Sequence, residues 1–353
     1  MLLLVAVLVS PVQSRYPNAL RAKQTSDALP EDSPASIPLL VLIFTQASNT
    51  ARRQWQRQTW LKQRWTRGEL LPSTGTRTAQ QPSINWRYVY VQARTSNKAD
   101  KADDGGPLDT VHGDTVTLST VTESYENLVY KTLEALRWAL RHVAFGSLLK
   151  TDDDSIVHVG RVSAWLQLHV RPQSRATLYA GRVFNDSQII RFNFTKANLL
   201  HPEWFPDDFV KWAVPYESYS GAGLYYPPYC SGGGYLLGPR AARKVVQAYD
   251  VRAAAARPVV RVEDAFVGIL ASEQLLSPTD ISEYVQDPPA GREQTPELFG
   301  GRMLVHRVTD PKKAFEWLIF PSHTSLELAG VRRARRRSHA AASARHSQTY
   351  PAQ

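Results

Sequence analysis

The feature that most constrains this chain is a run of three adjacent carboxylates, Asp152-Asp153-Asp154, set between the apolar pairs Leu148-Leu149 and Ile156-Val157. A short apolar strand that ends in acidic residues brings negative charge to the carboxyl edge of an open α/β sheet, where such sheets bind ligands. Hard divalent cations prefer these oxygens. An exposed acidic turn is the simpler interpretation of a charge run, but the apolar flanks favour a metal site for a phosphate-bearing ligand.

A phosphatase or phosphotransferase is an alternative that the same run permits. In that pattern a nucleophilic Asp follows its strand directly, as hydrophobic-Asp-x-Asp-x-Thr. Here Lys150 and Thr151 separate the apolar pair from the first Asp, which weakens this interpretation.

Strand and helix signals alternate along the chain. Ile37 to Phe44 is a continuous apolar run of strand length, typical of a strand buried on both faces. Thr50 to Trp65 predicts a helix, and Trp86 to Val91 predicts a second strand. This order is that of a mostly parallel sheet covered by helices, so we expect an α/β fold.

Two further helices are predicted around the acidic run. From Tyr125 to Val143 apolar residues recur at helical spacing, and Thr120 with Glu123 forms a capping-box pattern ahead of them. Pro239 suits the first turn of a helix that continues through Ala248.

Six segments occur in the order found in one enzyme family. They are Arg52-Arg53-Gln54-Trp55-Gln56-Arg57-Gln58-Thr59-Trp60, Tyr125-Glu126-Asn127-Leu128-Val129-Tyr130-Lys131, Lys150-Thr151-Asp152-Asp153-Asp154, Lys211-Trp212-Ala213-Val214, Tyr226-Pro227-Pro228-Tyr229 with Gly232-Gly233-Gly234-Tyr235, and Glu263-Asp264. Over roughly residues 37 to 320 the chain resembles the inverting β-1,3-glycosyltransferases (glycosyltransferase family 31), which include galactosyl-, N-acetylglucosaminyl- and N-acetylgalactosaminyltransferases and the fringe enzymes. The resemblance implies a GT-A-type fold that binds a nucleotide sugar.

The resemblance also implies a metal site. It assigns a divalent cation, usually manganese, to Asp154, and it places Asp152 and Asp153 nearer to the nucleotide. His306 resembles the C-terminal histidine that completes the metal site in related transferases, and a neutral imidazole suits manganese. A hydrogen-bonded structural histidine is the alternative for His306.

A carboxylate pair supplies the candidate base. Inverting transfer needs a carboxylate that takes a proton from the acceptor hydroxyl, and the resemblance gives that role to Asp264. Glu263 is assigned to the donor. The alternative is that both acids merely favour the N-terminus of a helix.

Three cations are assigned to the donor as well. Arg53 and Arg57 lie one helical turn apart on the same face, where they would neutralise a diphosphate unless they are solvated surface groups. Lys131 belongs to the second family segment and is assigned to the donor by the resemblance.

A block of glycines and tyrosines follows. Glycines let the backbone pass close to a bulky ligand such as the donor sugar, and tyrosines offer flat faces with hydroxyl groups that suit sugar rings, or they belong to the core. These residues are Gly232, Gly233, Gly234, Tyr226, Tyr229 and Tyr235.

We expect one catalytic domain over residues 37–325. Residues 1–10 are apolar but too short to span a bilayer, and they represent a signal peptide core or a truncated signal anchor, with a buried strand as the alternative. Residues 11–36 have the composition of a disordered stem. Residues 326–353 form a basic tail of disordered composition.

Asn185-Asp186-Ser187 and Asn193-Phe194-Thr195 are glycosylation acceptors in a secretory protein. Together with the resemblance they place the catalytic domain in the lumen of the Golgi apparatus, as a type II membrane protein, or alternatively in the endoplasmic reticulum or outside the cell. The single cysteine, Cys230, excludes an intramolecular disulfide, which departs from most animal members of the family, and we expect it to be a small buried residue.

The net charge of +10 is partly local, because Val331 to Arg337 carries five arginines. No aromatic residues are interleaved with these arginines in the way used for stacking on bases, so a nucleic-acid partner is not expected. The expected partners are a UDP-sugar donor and a glycan, glycoprotein or glycolipid acceptor.

The Asp triplet and the Tyr-Pro-Pro-Tyr block most resemble the galactosyltransferase branch, with N-acetylglucosamine or N-acetylgalactosamine donors as alternatives. A non-catalytic glycan-binding or scaffold protein is the alternative of another class, but Asp154 and Asp264 are both present.

Overall fold

The computed structural model describes residue 35 and residues 37–62, 85–95, 112–191, 211–219, 223–281, 285–286 and 294–319. The strands are β1 Ile37–Phe44, β2 Trp86–Arg94, β3 Thr115–Thr122, β4 Phe145–Asp152, β5 Ile156–Val157, β6 Tyr179–Phe184, β7 Tyr229–Leu237, β8 Thr279–Asp280, β9 Val285–Gln286 and β10 Leu304–Val305. The helices are α1 Thr50–Gln58, α2 Leu128–His142, α3 Val159–His169, α4 Pro172–Arg175, α5 Pro239–Ala254, α6 Glu263–Glu273, α7 Pro296–Phe299 and α8 Pro311–Ile319, with a 3-10 turn at Tyr216–Ser218.

A seven-stranded sheet in the order β3-β2-β1-β4-β7-β6-β8 forms the centre. The pairs β3-β2, β2-β1, β1-β4 and β6-β8 are parallel, and β7 is antiparallel to both of its neighbours. A small sheet in the order β5-β10-β9 lies beside it. The expected α/β class, with a mostly parallel central sheet flanked by helices, is therefore confirmed.

The apolar run of β1 explains why it is a central strand. Alternate side chains enter two separate cores, with Leu40, Leu42 and Phe44 in one and Leu39, Val41 and Ile43 in the other. A strand buried on both faces reads as a continuous apolar run. The bounds predicted for β1 are those observed.

Two local predictions were wrong. The first helix ends at Gln58 and does not continue towards Trp65, because the chain turns and buries Trp60 completely. The capping box ahead of α2 does not form, since Thr120 belongs to β3 and Glu123 accepts hydrogen bonds from the Ala93 N–H and from Lys131. The predicted start of α5 at Pro239 agrees with the structure, and α6 begins at Glu263, so the acidic pair does lie at the N-terminus of a helix.

The sheet edge at the carboxyl ends of β1 and β4 is where the acidic run lies. Phe44 and Asp152 are partners in the register of these two parallel strands. Antiparallel pairing of β10 with β5 brings the residues after Val305 to the same edge.

Within the described parts of the chain, no helix combines the length and the apolar character needed to cross a bilayer. The apolar N-terminal segment 1–10, nearly all of the stem 11–36 and the basic tail 326–353 lie outside the described residues.

Candidate active site

A cavity of about 700 Å³ opens at this edge of the sheet. Its wall combines the ends of β1 and β4, the middle of β7, the N-terminus of α6 and the residues that follow β10. Acidic residues and one histidine occupy one part, and aromatic residues occupy another. Among the residues predicted for the site, Lys131, Asp152, Asp153, Asp154, Gly232, Gly233, Glu263, Asp264 and His306 line this cavity.

Asp152, Asp154 and His306 form a candidate metal site. One ligand atom from each lies within 4.8 Å of the others, and His306 Nε2 is 3.4 Å from Asp154 Oδ1 and 3.7 Å from Asp152 Oδ2. Asp154 Oδ1 is buried and has no hydrogen-bond partner among the described residues, as expected for an atom that faces a cation. Two carboxylates and an imidazole are a suitable donor set for a divalent metal such as manganese, so these residues fit the expected ion.

The charge of Asp154 is consistent with that assignment. Burial acts to raise the pKa of its carboxyl, but the neighbouring His306 and then Arg52 outweigh burial, and the pKa lies below its usual value. The carboxylate is therefore ionised near neutral pH, as a metal ligand must be.

The backbone after β10 is held in place beside the metal set. Arg307 has φ +54°, a left-handed conformation that costs energy for a residue with a side chain. Its carbonyl accepts a hydrogen bond from Gln294 Nε2 at 2.8 Å, and the Val308 N–H donates to the Asp154 carbonyl at 2.9 Å. These bonds tie His306 to the acidic run.

Asp153 has a different environment from its two neighbours. Its carboxylate accepts hydrogen bonds from Thr45 Oγ1 at 2.6 Å, Asn49 Nδ2 at 2.7 Å and Arg52 Nη1 at 2.8 Å. Because these donors already occupy its oxygens, Asp153 fixes the start of α1 against the cavity wall.

Arg53 and Arg57, predicted to neutralise a diphosphate, are not among the cavity-lining residues. Arg53 is buried, and its guanidinium donates to the carbonyls of Gln46 and Ala47. Arg57 pairs with the fully buried Asp114 at 2.7 Å. A buried carboxylate requires such a partner, which explains why Arg57 turns away from the cavity.

The glycine run of β7 makes room for protein groups. A Cβ at Gly233 would lie 2.5 Å from Cγ and 2.7 Å from Nδ1 of His306, and one at Gly232 would lie 3.1 Å from Asp264 Oδ2. A Cβ at Gly234 would lie 2.5 Å from Leu304 Cδ1, and Gly234 is not part of the cavity wall. Each of the three glycines therefore has a close protein neighbour. For Gly232 and Gly233, which line the cavity, clearance for the donor sugar stays a prediction.

Asp264 occupies the N-terminus of α6. Its Oδ2 accepts a hydrogen bond from the Gly232 N–H at 2.8 Å, and its Oδ1 accepts one from the Ala265 N–H at 2.9 Å. Burial, and then the neighbouring Glu263, raise the pKa of Asp264 to about 6. A carboxylate with this pKa is ionised at neutral pH and more basic than an ordinary Asp, which suits a general base.

Glu263 is held within the protein. It is 4% exposed, and its Oε1 accepts hydrogen bonds from Thr132 Oγ1 and from the Tyr235 hydroxyl, both at 2.8 Å. Lys131, the other residue assigned to the donor, pairs with Glu123 and donates to the Thr45 carbonyl. Both residues line the cavity, but Glu263 Oε1 and Lys131 Nζ already bind other protein groups.

The aromatic part of the wall lies on the Asp264 side. Tyr226 and Tyr229 face the cavity, and the Tyr229 hydroxyl donates to Ser187 Oγ at 3.0 Å. Tyr235 is fully buried and belongs to the core.

Asn185, next to this wall, is exposed, whereas Asn193 lies outside the described residues. Cys230 is buried, as predicted.

Several polar residues of the wall were not predicted as site residues. They include Asn49, Arg52, Lys211 and Arg307. The sequence did carry a signal for three of them, because Arg52 and Lys211 belong to the family segments and Arg307 directly follows His306.

Comparisons with known proteins agree with these observations. The family model described as galactosyltransferase matches residues 51–282. Human β-1,3-galactosyltransferase 4 is 28% identical over 293 residues, which cover 78% of this chain and 71% of the relative. The mouse acetylgalactosaminyl-O-glycosyl-glycoprotein β-1,3-N-acetylglucosaminyltransferase is 27% identical over 320 residues, covering 86% and 70%.

A crystal structure of the galactosyltransferase LgtC with donor and acceptor sugar analogues shows a weak likeness. It has 11% identity and a TM-score of 0.37, and the match covers 79% of this chain and 95% of that chain. The family match extends over well over half of the sequence, and the resemblance inferred from the sequence segments is thereby confirmed. The chain belongs to the galactosyltransferase family of β-1,3-glycosyltransferases.

Proposed function

We propose that this enzyme transfers galactose from UDP-galactose to a hydroxyl group of a glycan acceptor, with inversion, and forms a β-1,3 linkage. The observation that carries the proposal is that a candidate base and a candidate metal set line the same cavity. Asp264 is close enough to interact with the wall residues Tyr226 and Tyr229, and Asp152, Asp154 and His306 are grouped closely enough to hold one ion. Inverting transfer needs these two groups on opposite sides of the reacting sugar.

Asp152, Asp154 and His306 would hold the divalent cation, which we propose to be Mn²⁺. When bound, the cation supplies positive charge that offsets the charge developing on the departing diphosphate. Arg52 and Arg307 line the same cavity, and their guanidinium groups suit phosphate oxygens.

Asp264 acts on the acceptor. The acceptor oxygen forms a bond to the anomeric carbon while the bond from that carbon to UDP breaks, and the hydroxyl proton passes to the Asp264 carboxylate. The N–H groups of Gly232 and Ala265 bind one oxygen each. These bonds fix the direction in which the remaining lone pairs point, so the base is oriented before the acceptor arrives.

The aromatic wall is the proposed acceptor site. Tyr226 and Tyr229, together with Phe184 and Trp212, present rings to the cavity beside Asp264. Sugar rings pack on such surfaces, and tyrosine hydroxyls provide hydrogen bonds.

N-acetylglucosamine is the second candidate sugar. The mouse N-acetylglucosaminyltransferase is nearly as similar to this chain as human β-1,3-galactosyltransferase 4 is. A screen of UDP-galactose, UDP-N-acetylglucosamine and UDP-N-acetylgalactosamine against a panel of acceptor glycans, with release of UDP and product linkage as the readouts, separates these donors. We expect UDP-galactose to give the highest rate. Preference for an N-acetylhexosamine donor would refute the proposed donor, and the absence of transfer from every donor would refute the proposed activity.

We further propose that the catalytic domain resides in the Golgi lumen, anchored to the membrane through its N-terminus. Asn185 is exposed and would carry a glycan there. The protein isolated from its own cells should migrate faster on a gel after enzymatic deglycosylation, and Asn185→Gln should remove part of that shift. An unglycosylated cytosolic product would contradict this location.

A further inference from the structure

Lys150 is a buried cation between the candidate metal set and the candidate base. It lies in β4 two residues before Asp152 and is 1% exposed. Its Nζ donates to Asp152 Oδ1 and to the Gly232 carbonyl, both at 2.8 Å, and lies 3.8 Å from Glu263 Oε2. A buried ammonium is costly unless acceptors and opposite charges surround it, and these three groups meet that requirement.

Gly232 connects Lys150 to the base. Its carbonyl accepts the Lys150 hydrogen bond, and its N–H donates to Asp264 Oδ2 at 2.8 Å. The backbone pairing of β4 with β7 ends at Thr151 and Gly234, so Gly232 lies beyond the last pair of that ladder. The bonds from Lys150 and Asp264 therefore help to fix this part of the strand.

Lys150 also balances the charge around Asp264. Burial and Glu263 raise the pKa of Asp264, whereas its two backbone hydrogen bonds and the Lys150 charge act to lower it. Among the described residues, further titratable groups that interact with Asp264 have pKa values raised above their ordinary range and are uncharged at neutral pH. They are Tyr125, Tyr179, Tyr226, Tyr229, Tyr235 and Cys230.

We propose that Lys150 is a positioning residue for sugar transfer, which holds Asp152 at the metal set and Gly232 beneath Asp264. This inference rests on the proposed function, because it requires Asp264 to act as the base. If Lys150 only joined β4 to β7, it would contribute to the stability of the fold and would leave Asp264 unaffected.

The experiment compares Lys150→Met and Lys150→Arg with wild type. Turnover is measured against pH at saturating donor and Mn²⁺, and thermal unfolding is measured in parallel. Lys150→Met has a similar length but neither a charge nor a hydrogen-bond donor, so Gly232 should hold Asp264 less firmly. The plateau rate should therefore fall, and the midpoint of the acidic limb should rise. Lys150→Arg keeps the charge and should keep the wild-type midpoint.

Arg57→Gln is the matched control for lost stability. It breaks a buried ion pair with Asp114, away from the cavity, so it should lower the unfolding temperature without moving the pH midpoint. If Lys150→Met does not fold, Lys150→Gln takes its place.

Two outcomes would overturn the inference. One is a Lys150→Met profile with the wild-type midpoint and plateau rate and only a lower unfolding temperature. The other is an equal midpoint shift in Lys150→Met and Lys150→Arg. Both are distinguishable from failure of the proposed function, in which the wild type itself transfers no sugar.

Discussion

Replacing Gly233 by Ala tests the metal set without substituting any of its ligands. The added Cβ would lie 2.5 Å from Cγ, 2.7 Å from Nδ1 and 2.8 Å from Cβ of His306. Non-bonded carbon atoms rest about 3.5–4.0 Å apart, so the imidazole ring must retreat by about 1 Å. The contact involves the ring and the Cβ close to the backbone, which the bonds around Arg307 hold in place.

This displacement is large compared with the tolerance of a metal site. Metal–ligand distances are held within about ±0.2 Å of their ordinary values. Disturbing the groups that merely orient ligands already costs about 10–100-fold in affinity. We therefore expect Gly233→Ala to weaken Mn²⁺ binding by at least about a hundredfold, since it displaces the ligand itself.

The matched control is Gly234→Ala in the same strand. Its Cβ would also meet an atom at 2.5 Å, but that atom is Leu304 Cδ1 at the end of an apolar side chain. Overpacking of this kind costs about 1–3 kcal/mol of stability, and Mn²⁺ affinity should stay within a few-fold of the wild type.

Calorimetric titration with Mn²⁺ and thermal unfolding of all three proteins provide the comparison. If folded Gly233→Ala binds Mn²⁺ as tightly as the wild type, His306 is not a ligand and the metal assignment is wrong. Equal loss of Mn²⁺ binding in both variants would mean that β7 tolerates no side chain, and the specific link to His306 would be refuted.

Asp264→Asn should keep UDP-sugar affinity and lower turnover by about a hundredfold or more, the scale of a positioned general base. A near wild-type rate, with Glu263→Gln inactive, would move the role of base to Glu263. Because the pKa of Asp264 is raised to about 6 and a base must be unprotonated, turnover at saturating donor and metal should fall as the pH drops through about 6. A rate that stays constant down to pH 5 would contradict this. UDP affinity should collapse in EDTA and return with Mn²⁺, and Asp154→Ala should mimic EDTA, whereas tight UDP binding by that variant would show that Asp154 is not needed.

Much of the fold could be predicted because its strongest signals are local. The run Ile37 to Phe44 is typical of a strand buried on both faces, and its eight residues suit a strand better than a helix. Predictions failed where tertiary pairing overrode local preference. Thr120 has the spacing of a helix cap, yet parallel pairing of β3 with β2 extends the strand through it.

The site was harder to predict because its parts meet through distant pairings. Asp152 and Asp154 are neighbours in sequence, and the family segments identified both. His306 reaches them only because β10 pairs antiparallel with β5, which positions Val305 opposite Ile156. For Arg57 the deciding partner is Asp114, a buried acid more than fifty residues away, and no local pattern indicates that this pair forms.

The glycine run shows most clearly what a sequence can and cannot convey. Consecutive glycines indicate that something lies close to the backbone, but not what it is. In the structure Gly232 lies against Asp264, Gly233 against His306 and Gly234 against Leu304. Ala at each position should therefore fail in a different way. At Gly232 the Cβ would lie 3.1 Å from the carboxylate oxygen that the Gly232 N–H binds, so the base must shift by a few tenths of an ångström. Gly232→Ala should then lower the turnover number while Mn²⁺ and UDP affinities stay at their wild-type values. An unchanged turnover number would show that a shift of the Asp264 carboxylate by this distance does not affect catalysis.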